Sequence, residues 1–294
     1  AFTVPSGPQP FAVVATGDLG PADAPSVAIT APSDGAVVTQ GTNVTFTGSA
    51  DDPQDGDLSS AIAWSSSLDG ALGSGASIAT SSLSVGTHIV TEALDRGHAV
   101  TAVSRNPSRI ARRHENLSAV KGDLLDTDSI RSLATGQDIV IISVRGVIGD
   151  SKTPESALQY IAVRNVVDAL REMGDDAPRL IHVGGSGTLE VRPGVTYADK
   201  LPRLFLPKNL ELEIQGQILA LQFLRAVDDV NWSYATPPKN LTNGRRKGSY
   251  RTGGDRMLKD KRGRNLVSRA DFAMALVDEA ESAAHNMRRF SVAY

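Results

Sequence analysis

Gly86 opens a segment whose apolar residues, Ile89, Val90, Ala93 and Leu94, fall on one helical face, and Gly97 stops it. A glycine at a helix N-terminus lets backbone amides approach a phosphate where the helix dipole also favours negative charge. Arg105 ends the next apolar run, residues 99–104. Its guanidinium suits a phosphate, with Arg109 close enough to assist. A third group, Gly184-Gly185-Ser186-Gly187, follows the apolar run 179–183, and Ser186 is its best side-chain donor and the candidate catalytic residue. These residue types could grip phosphate at two places, with a hydroxyl donor at a third.

Such residues have to be positioned by strands and helices. Beyond residue 86 the chain alternates: a helix over 87–96, a strand over 99–104, Val120 before Gly122-Asp123, a continuous apolar run at 138–144, a helix over 154–173, a strand over 179–183, a helix over 210–226, a strand over 230–235 and a helix over 268–281. Strands alternating with helices predict an α/β, doubly wound parallel sheet covered on both faces. The first strand of such a sheet should end in a turn of the form G-x-x-G-x-x-G, yet only Gly86 occupies a glycine position. Counting back, residues 76–79 stand where the strand belongs, and Thr80 and Leu83 stand on the first two glycine positions. The register predicts that residues 77–80 enter the sheet as a substitute strand, with dinucleotide affinity greatly reduced. Residues 11–15, followed by Thr16-Gly17-Asp18-Leu19-Gly20, are the alternative donor.

Charge divides the chain at the same point. Residues 1–86 carry eight Asp and no Lys, Arg or Glu, giving −8, whereas the remainder carries 30 bases and 25 acids, giving +5. A base-free Ser/Thr/Gly/Asp-rich segment meeting a mixed-charge one marks a domain boundary. In the first segment, short alternating runs at 27–30, 36–38, 43–48 and 61–65 predict an all-β module whose core is Trp64, Phe46 and Ile29. Asp51, Asp52, Asp55 and Asp57 offer hard oxygens for calcium, but lack the closing Glu of a helix–loop–helix calcium loop and are read as turn formers. With no cysteine, the chain has no disulfide framework and no thiolate nucleophile. No apolar run approaches the roughly 20 residues of a membrane span. The Arg/Lys clusters at 245–247 and 259–264 lack interleaved aromatics, which argues against nucleic acid and leaves a small molecule as the partner. The chain opens on Ala1 without a signal-like segment, which suggests processing or a fragment.

Two resemblances follow from the motifs. Ile29-Thr30-Ala31-Pro32-Ser33-Asp34-Gly35, Val44-Thr45-Phe46-Thr47-Gly48-Ser49-Ala50, Asp52-Pro53-Gln54-Asp55-Gly56-Asp57-Leu58 and Leu83-Ser84-Val85-Gly86-Thr87-His88 resemble the bacterial immunoglobulin-like repeats of secreted and surface proteins. This implies a β-sandwich over 25–75, incomplete because a helix takes over where its last strand should be; residues 1–24 read as the tail of an upstream domain or a linker. Residues from about 86 to 294 resemble the NAD(P)H-binding branch of the atypical short-chain dehydrogenase/reductases, related to flavin/biliverdin reductases and epimerase-like proteins, without the first strand and glycine loop, and the α/β domain is read over 76–294. The matching motifs are Ile89-Val90-Thr91-Glu92-Ala93-Leu94-Asp95-Arg96-Gly97-His98, Val103-Ser104-Arg105-Asn106-Pro107, Gly122-Asp123-Leu124-Leu125-Asp126, Gly184-Gly185-Ser186-Gly187-Thr188-Leu189-Glu190 and Ser268-Arg269-Ala270-Asp271-Phe272-Ala273.

The second resemblance implies a Rossmann-like domain in strand order 3-2-1-4-5-6, in which loss of strand one opens the middle of the sheet. It places Asp123 beside adenine, Ser143 and Val144 beside the adjoining ribose, and Gly184 and Gly185 against the cofactor. Arg105 stands where an NAD enzyme would carry an acid on the ribose 2′-hydroxyl, so NADP is preferred. The Tyr-x-x-x-Lys pair of many relatives is absent, since Leu201 is four places after Tyr197 and Lys200 is off register. His182 reads as a packed core residue. The expected function is reduction of a small acceptor with an impaired pyrophosphate grip. The alternatives are a surface binding module with the α/β part as scaffold, and a chimera without function joined at Val85-Gly86-Thr87-His88. The α/β part implies a cytoplasmic protein and the immunoglobulin-like part an extracellular one.

Overall fold

A computed structural model describes residues 11–15, 25–31, 44–53, 55–66, 70–80, 85–110, 112–149, 153–202 and 206–294. The N-terminal part contains β1 (Phe11–Ala15), β2 (Ser26–Ala31), β3 (Val44–Asp52), β4 (Gly56–Asp57), β5 (Ile62–Ser66), β6 (Gly70–Ser74) and β7 (Ser77–Thr80). They form two antiparallel sheets. One has the order β1-β5-β6; in the other, β3 pairs β2 along one edge and β4 and β7 along the opposite edge. Phe46 and Ala50 from one sheet share a core with Ile62 and Trp64 from the other, the two aromatic rings lying 5.9 Å apart. The Trp64 indole donates to the Gly75 carbonyl at 2.7 Å, which satisfies its one polar atom.

Two expectations are corrected here. Residues 77–80 do not enter the parallel sheet: β7 pairs antiparallel with β3, Ser77 opposite Thr47 and Ile78 opposite Phe46. Ile78 packs on the Phe46–Trp64 core and its neighbour Ser77 is exposed, which suits a half-buried sandwich strand and not a parallel strand covered on both faces. The boundary at residue 76 therefore shifts beyond Thr80. Residues 11–15 belong neither to a separate upstream domain nor to the parallel sheet, because β1 pairs antiparallel with β5. Leu83 and the stretch 16–20 lie outside the described residues.

The second part contains α1 (Val85–Asp95), β8 (Val100–Ser104), β9 (Leu117–Lys121), α2 (Thr127–Ala134), β10 (Ile139–Ile142), α3 (Leu158–Met173), β11 (Arg179–Val183), β12 (Glu190–Arg192), β13 (Val195–Thr196), α4 (Lys208–Arg225), β14 (Trp232–Thr236), β15 (Asn240–Thr242), β16 (Arg251–Gly253), β17 (Leu266–Ser268), α5 (Arg269–Ser282) and β18 (Arg288–Ala293). Gly97, at φ +87°, takes the left-handed conformation that ends α1. The Asp126 carboxylate caps α2 by accepting from the Asp128 and Ser129 amides, and Ser268 caps α5 by accepting from the Asp271 amide.

Strands β10, β11, β14 and β18 form a parallel sheet, with β16 antiparallel on its far edge. β8 and β9 form a separate parallel pair. The sheet is broken where strand one would lie: among the described residues, β8 pairs only β9 and β10 pairs only β11. Helices span the break on both faces. On one, α1 sends Val85 and Ile89 into a core with Ile181, Val183, Ala235 and Phe272, against which Ile139 and Ile141 are partly buried. On the other, α2 joins α3 and α4 in a core with Ile142 and Leu180, and the Asn165 amide of α3 donates to the Leu124 carbonyl at 2.7 Å. Strand β18 has no counterpart in the sequence reading, because two arginines at its head break the apolar run. Among the described residues no helix is long and apolar enough to cross a membrane.

Candidate active site

The carboxyl ends of β8 to β11 and β14 carry the expected site residues. Pairing is parallel within β8–β9 and within β10–β11–β14, so the carboxyl ends form one edge within each group. Open α/β sheets bind ligands at that edge.

The end of β11 is the best-built part. Gly184 follows the strand and donates its amide to the Ala235 carbonyl at 2.8 Å. A side chain at 184 would begin 2.1 Å from the Tyr234 ring, so this glycine is required by the packing of β14. At Gly185 the same test meets Gln217 at 3.1 Å. The Tyr234 hydroxyl lies 3.0 Å from both the carbonyl and the side-chain oxygen of Gln217, and burial pushes the phenol upward, away from proton transfer. The ring of His182 stacks on Tyr234 at 5.3 Å, and burial holds the imidazole at a pKa of about 4, neutral in the core as its sequence position suggests.

Ser186 starts a single tight turn. Leu189 donates its amide to the Ser186 carbonyl at 3.1 Å, and Thr188 donates its hydroxyl to the Gly185 carbonyl at 2.8 Å. Beneath it the buried Arg289 of β18 donates to the Thr188 carbonyl at 2.9 Å and to the Asp255 carbonyl at 2.9 Å. The turn is thereby fixed, while the Ser186 hydroxyl makes no hydrogen bond among the described residues. Arg289 escaped the sequence reading for the same reason as β18; an arginine within an apolar C-terminal run is the signal that could have found it. Thr236, at the end of β14, is fully buried with its hydroxyl unpartnered, beside buried Pro237 and Pro238. Lys239, next in line, holds its ammonium 6.0 Å from the centre of the Tyr197 ring.

On the other side of the break, Arg105 follows β8 and is exposed, with no hydrogen bond or ion pair among the described residues. The Arg109 backbone lies in the short helical turn Pro107–Arg109; its side chain is outside the described residues. Asp123 follows β9 and accepts the Leu125 amide at 3.0 Å, holding the turn into α2. Gly122 is demanded by packing, since a side chain there would begin 2.5 Å from Val103 and 2.6 Å from Leu133. Ser143 and Val144 follow β10, Val144 resting on the core of α3 and α4. Gly86 is the second residue of α1, whose first turn also carries His88, lowered to a pKa of about 4 by burial and by the positive charge of Arg269. Strand pairing joins Arg105 with Asp123, and Ser143 with Gly184, Ser186 and Thr236; none joins the two groups. Asp52 and Asp57, weighed as calcium ligands, accept the Asp55 and Ser59 amides at 3.0 and 2.9 Å and close turns.

A sequence model of the family described as NAD(P)H-binding matches residues 83–283. The chain belongs to the NAD(P)H-binding family. The family described as Bacterial Ig domain matches residues 25–102. Residues 83–102 are claimed by both, and there the chain forms α1 and β8. The uncharacterized protein YwnB of Bacillus subtilis (strain 168) is 30% identical over 213 residues, 70% of this chain and 92% of that protein. Among solved structures, a candidate epimerase from Bacteroides thetaiotaomicron is similar at 30% identity and TM-score 0.62, over 71% of this chain and 92% of that one. A candidate NADH-flavin reductase from Streptococcus pneumoniae TIGR4 is similar at 28% identity and TM-score 0.59, over 71% and 93%. The NAD(P)H-binding domain thus carries its family's α/β fold, broken at the first strand.

Proposed function

We propose that the NAD(P)H-binding domain is an oxidoreductase domain that prefers NADP, takes a small acceptor, and grips the cofactor pyrophosphate weakly. The observation that carries this is the unequal completeness of the strand-end edge. At the acceptor end, Ser186 stands on a turn pinned by Arg289, and the adjoining strand β14 runs out into buried Thr236, Pro237 and Pro238. At the adenosine end, Arg105 is uncommitted and suits a 2′-phosphate, with Arg109 beside it in sequence, Asp123 for adenine, and Ser143 and Val144 for the adjoining ribose. Between them, among the described residues, stands the N-terminus of α1 with Gly86. The residues fit the two ends of the cofactor and not its middle.

Bound NADPH would supply the hydride. The chain would supply position: the backbone of Gly184 and Gly185 borders the cofactor, and the Ser186 hydroxyl donates to the acceptor oxygen. The buried phenol of Tyr234 is unsuited to give a proton, and Tyr197 lacks a lysine at the helical spacing, so the proton comes from solvent or substrate. The candidate reductase and epimerase among the similar structures support this class of chemistry.

Fluorescence titration with NADPH and NADH tests the reading. NADPH should bind more weakly than about 1 μM, and Arg105→Ala should weaken it about tenfold while leaving NADH unchanged. Micromolar or tighter binding contradicts the impaired grip; an equal loss for both cofactors contradicts the role of Arg105. A surface-binding reading, with the α/β part as scaffold, is supported by the Bacterial Ig domain match and the Phe46–Trp64 core. It would be favoured if neither cofactor raised the melting temperature.

A further inference from the structure

The break in the parallel sheet has the features of a binding site. β8 presents one unpaired edge and β10 another, so backbone donors and acceptors along both edges have no strand partner among the described residues. The flanking strands are correspondingly half-open: Val103 of β8 is 47% exposed, and Ile139, Val140 and Ile141 of β10 are only partly buried, whereas β14 is buried throughout. These edges set the chemistry of an occupant. It must be extended, run parallel to β8 and β10, span the four to five residues of those strands, and be apolar on both faces, because α1 covers one side of the break and α2 and α3 the other.

This chain contains a segment of that description outside the parallel sheet. Phe11-Ala12-Val13-Val14-Ala15 is five residues long and apolar throughout, an unusual pattern for a sandwich strand, where alternation is expected. Among the described residues β1 is also the outermost strand of its sheet, paired along one edge, to β5. In the break it would gain hydrogen bonds along two edges for the one it gives up. Exchange of an identical element between copies is a low-cost route to association.

We propose that the break between β8 and β10 is a strand-acceptor site, and that its occupant is the segment Phe11–Ala15 of a second copy of this chain. Sedimentation velocity on the full chain over a wide concentration range, with residue-level hydrogen exchange at both ends of that range, tests it. The chain should associate as concentration rises. In the associated state, the amides of residues 100–104 and 139–142 that β9 and β11 leave unpaired should exchange about tenfold more slowly. Excess acetylated peptide Phe-Ala-Val-Val-Ala, bearing a solubilising tail, should disperse the association while keeping those amides protected. Val13→Lys should prevent association, and the peptide experiment stands even where that variant fails to fold. Equal exchange of these amides at every concentration, protection already complete in the monomer, or association indifferent to the peptide would each overturn the proposal.

Discussion

The two halves of the parallel sheet are built from similar residues yet differ in completeness. Strands β11 and β14 each have neighbours on both edges and helices on both faces, and Leu180, Ile181, Tyr234 and Ala235 are wholly buried. β8 and β9 have the same length and the same apolar content, three residues of five, but among the described residues they stand as an isolated pair with exposed and half-exposed side chains. The apolar run Ile139–Ile142 lies at the margin: Ile142 is buried while its three predecessors are only partly so. Apolar sequence therefore does not by itself make a buried strand. A neighbour on each side is also required, and among the described residues one neighbour is missing here.

The largest expected effect that sharpens this contrast is Gly184→Val, which drives a side chain into the Tyr234 ring within the complete half. It should cost about 4 kcal/mol or abolish cooperative urea unfolding. A near-neutral result would mean that the β11–β14 packing can shift. Next comes a matched pair. Leu180→Ala, which hollows the complete half, should cost about 3 kcal/mol, and Val103→Ala, in the open half, less than about 1 kcal/mol. Equal costs would erase the difference between the halves.

A smaller effect concerns pH. Burial holds His182 at a pKa of about 4, below the ordinary histidine value of 6.5. The unfolded chain therefore takes up a proton between pH 6.5 and 4 that the folded chain refuses. Stability is full above about pH 6.5 and falls as pH drops. His182→Leu should remove roughly 2 kcal/mol of that fall at pH 4.5, read from urea curves at pH 7 and 4.5.

Most helices and parallel strands were legible in the sequence because local signals agree with the fold: Gly97 ends α1, Ser268 caps α5, and residues 179–183 form a continuous apolar run. The break was legible too, as a count back from Gly86 that found no glycine turn. What filled it was not. Register placed residues 77–80 in the sheet, but Ser77 and Thr80 are too polar for a strand covered on both faces, and Ile78 finds its core against Phe46 and Trp64. Tertiary contacts decided a segment whose local propensity was neutral. Of the candidate site, strand-end positions could be read from sequence. The packing roles of Gly184 toward Tyr234 and of Arg289 beneath Ser186 depend on contacts between residues distant in the chain, which no local pattern shows.

The central claim, that the sheet is a complete half joined by helices to an open one, is tested most directly by native-state hydrogen exchange at low protein concentration and increasing urea. Amides of β11 and β14 should exchange only through global unfolding, and those pairing β8 with β9 through a smaller opening several kcal/mol below it. A single opening energy shared by β8, β9, β11 and β14 would contradict the account.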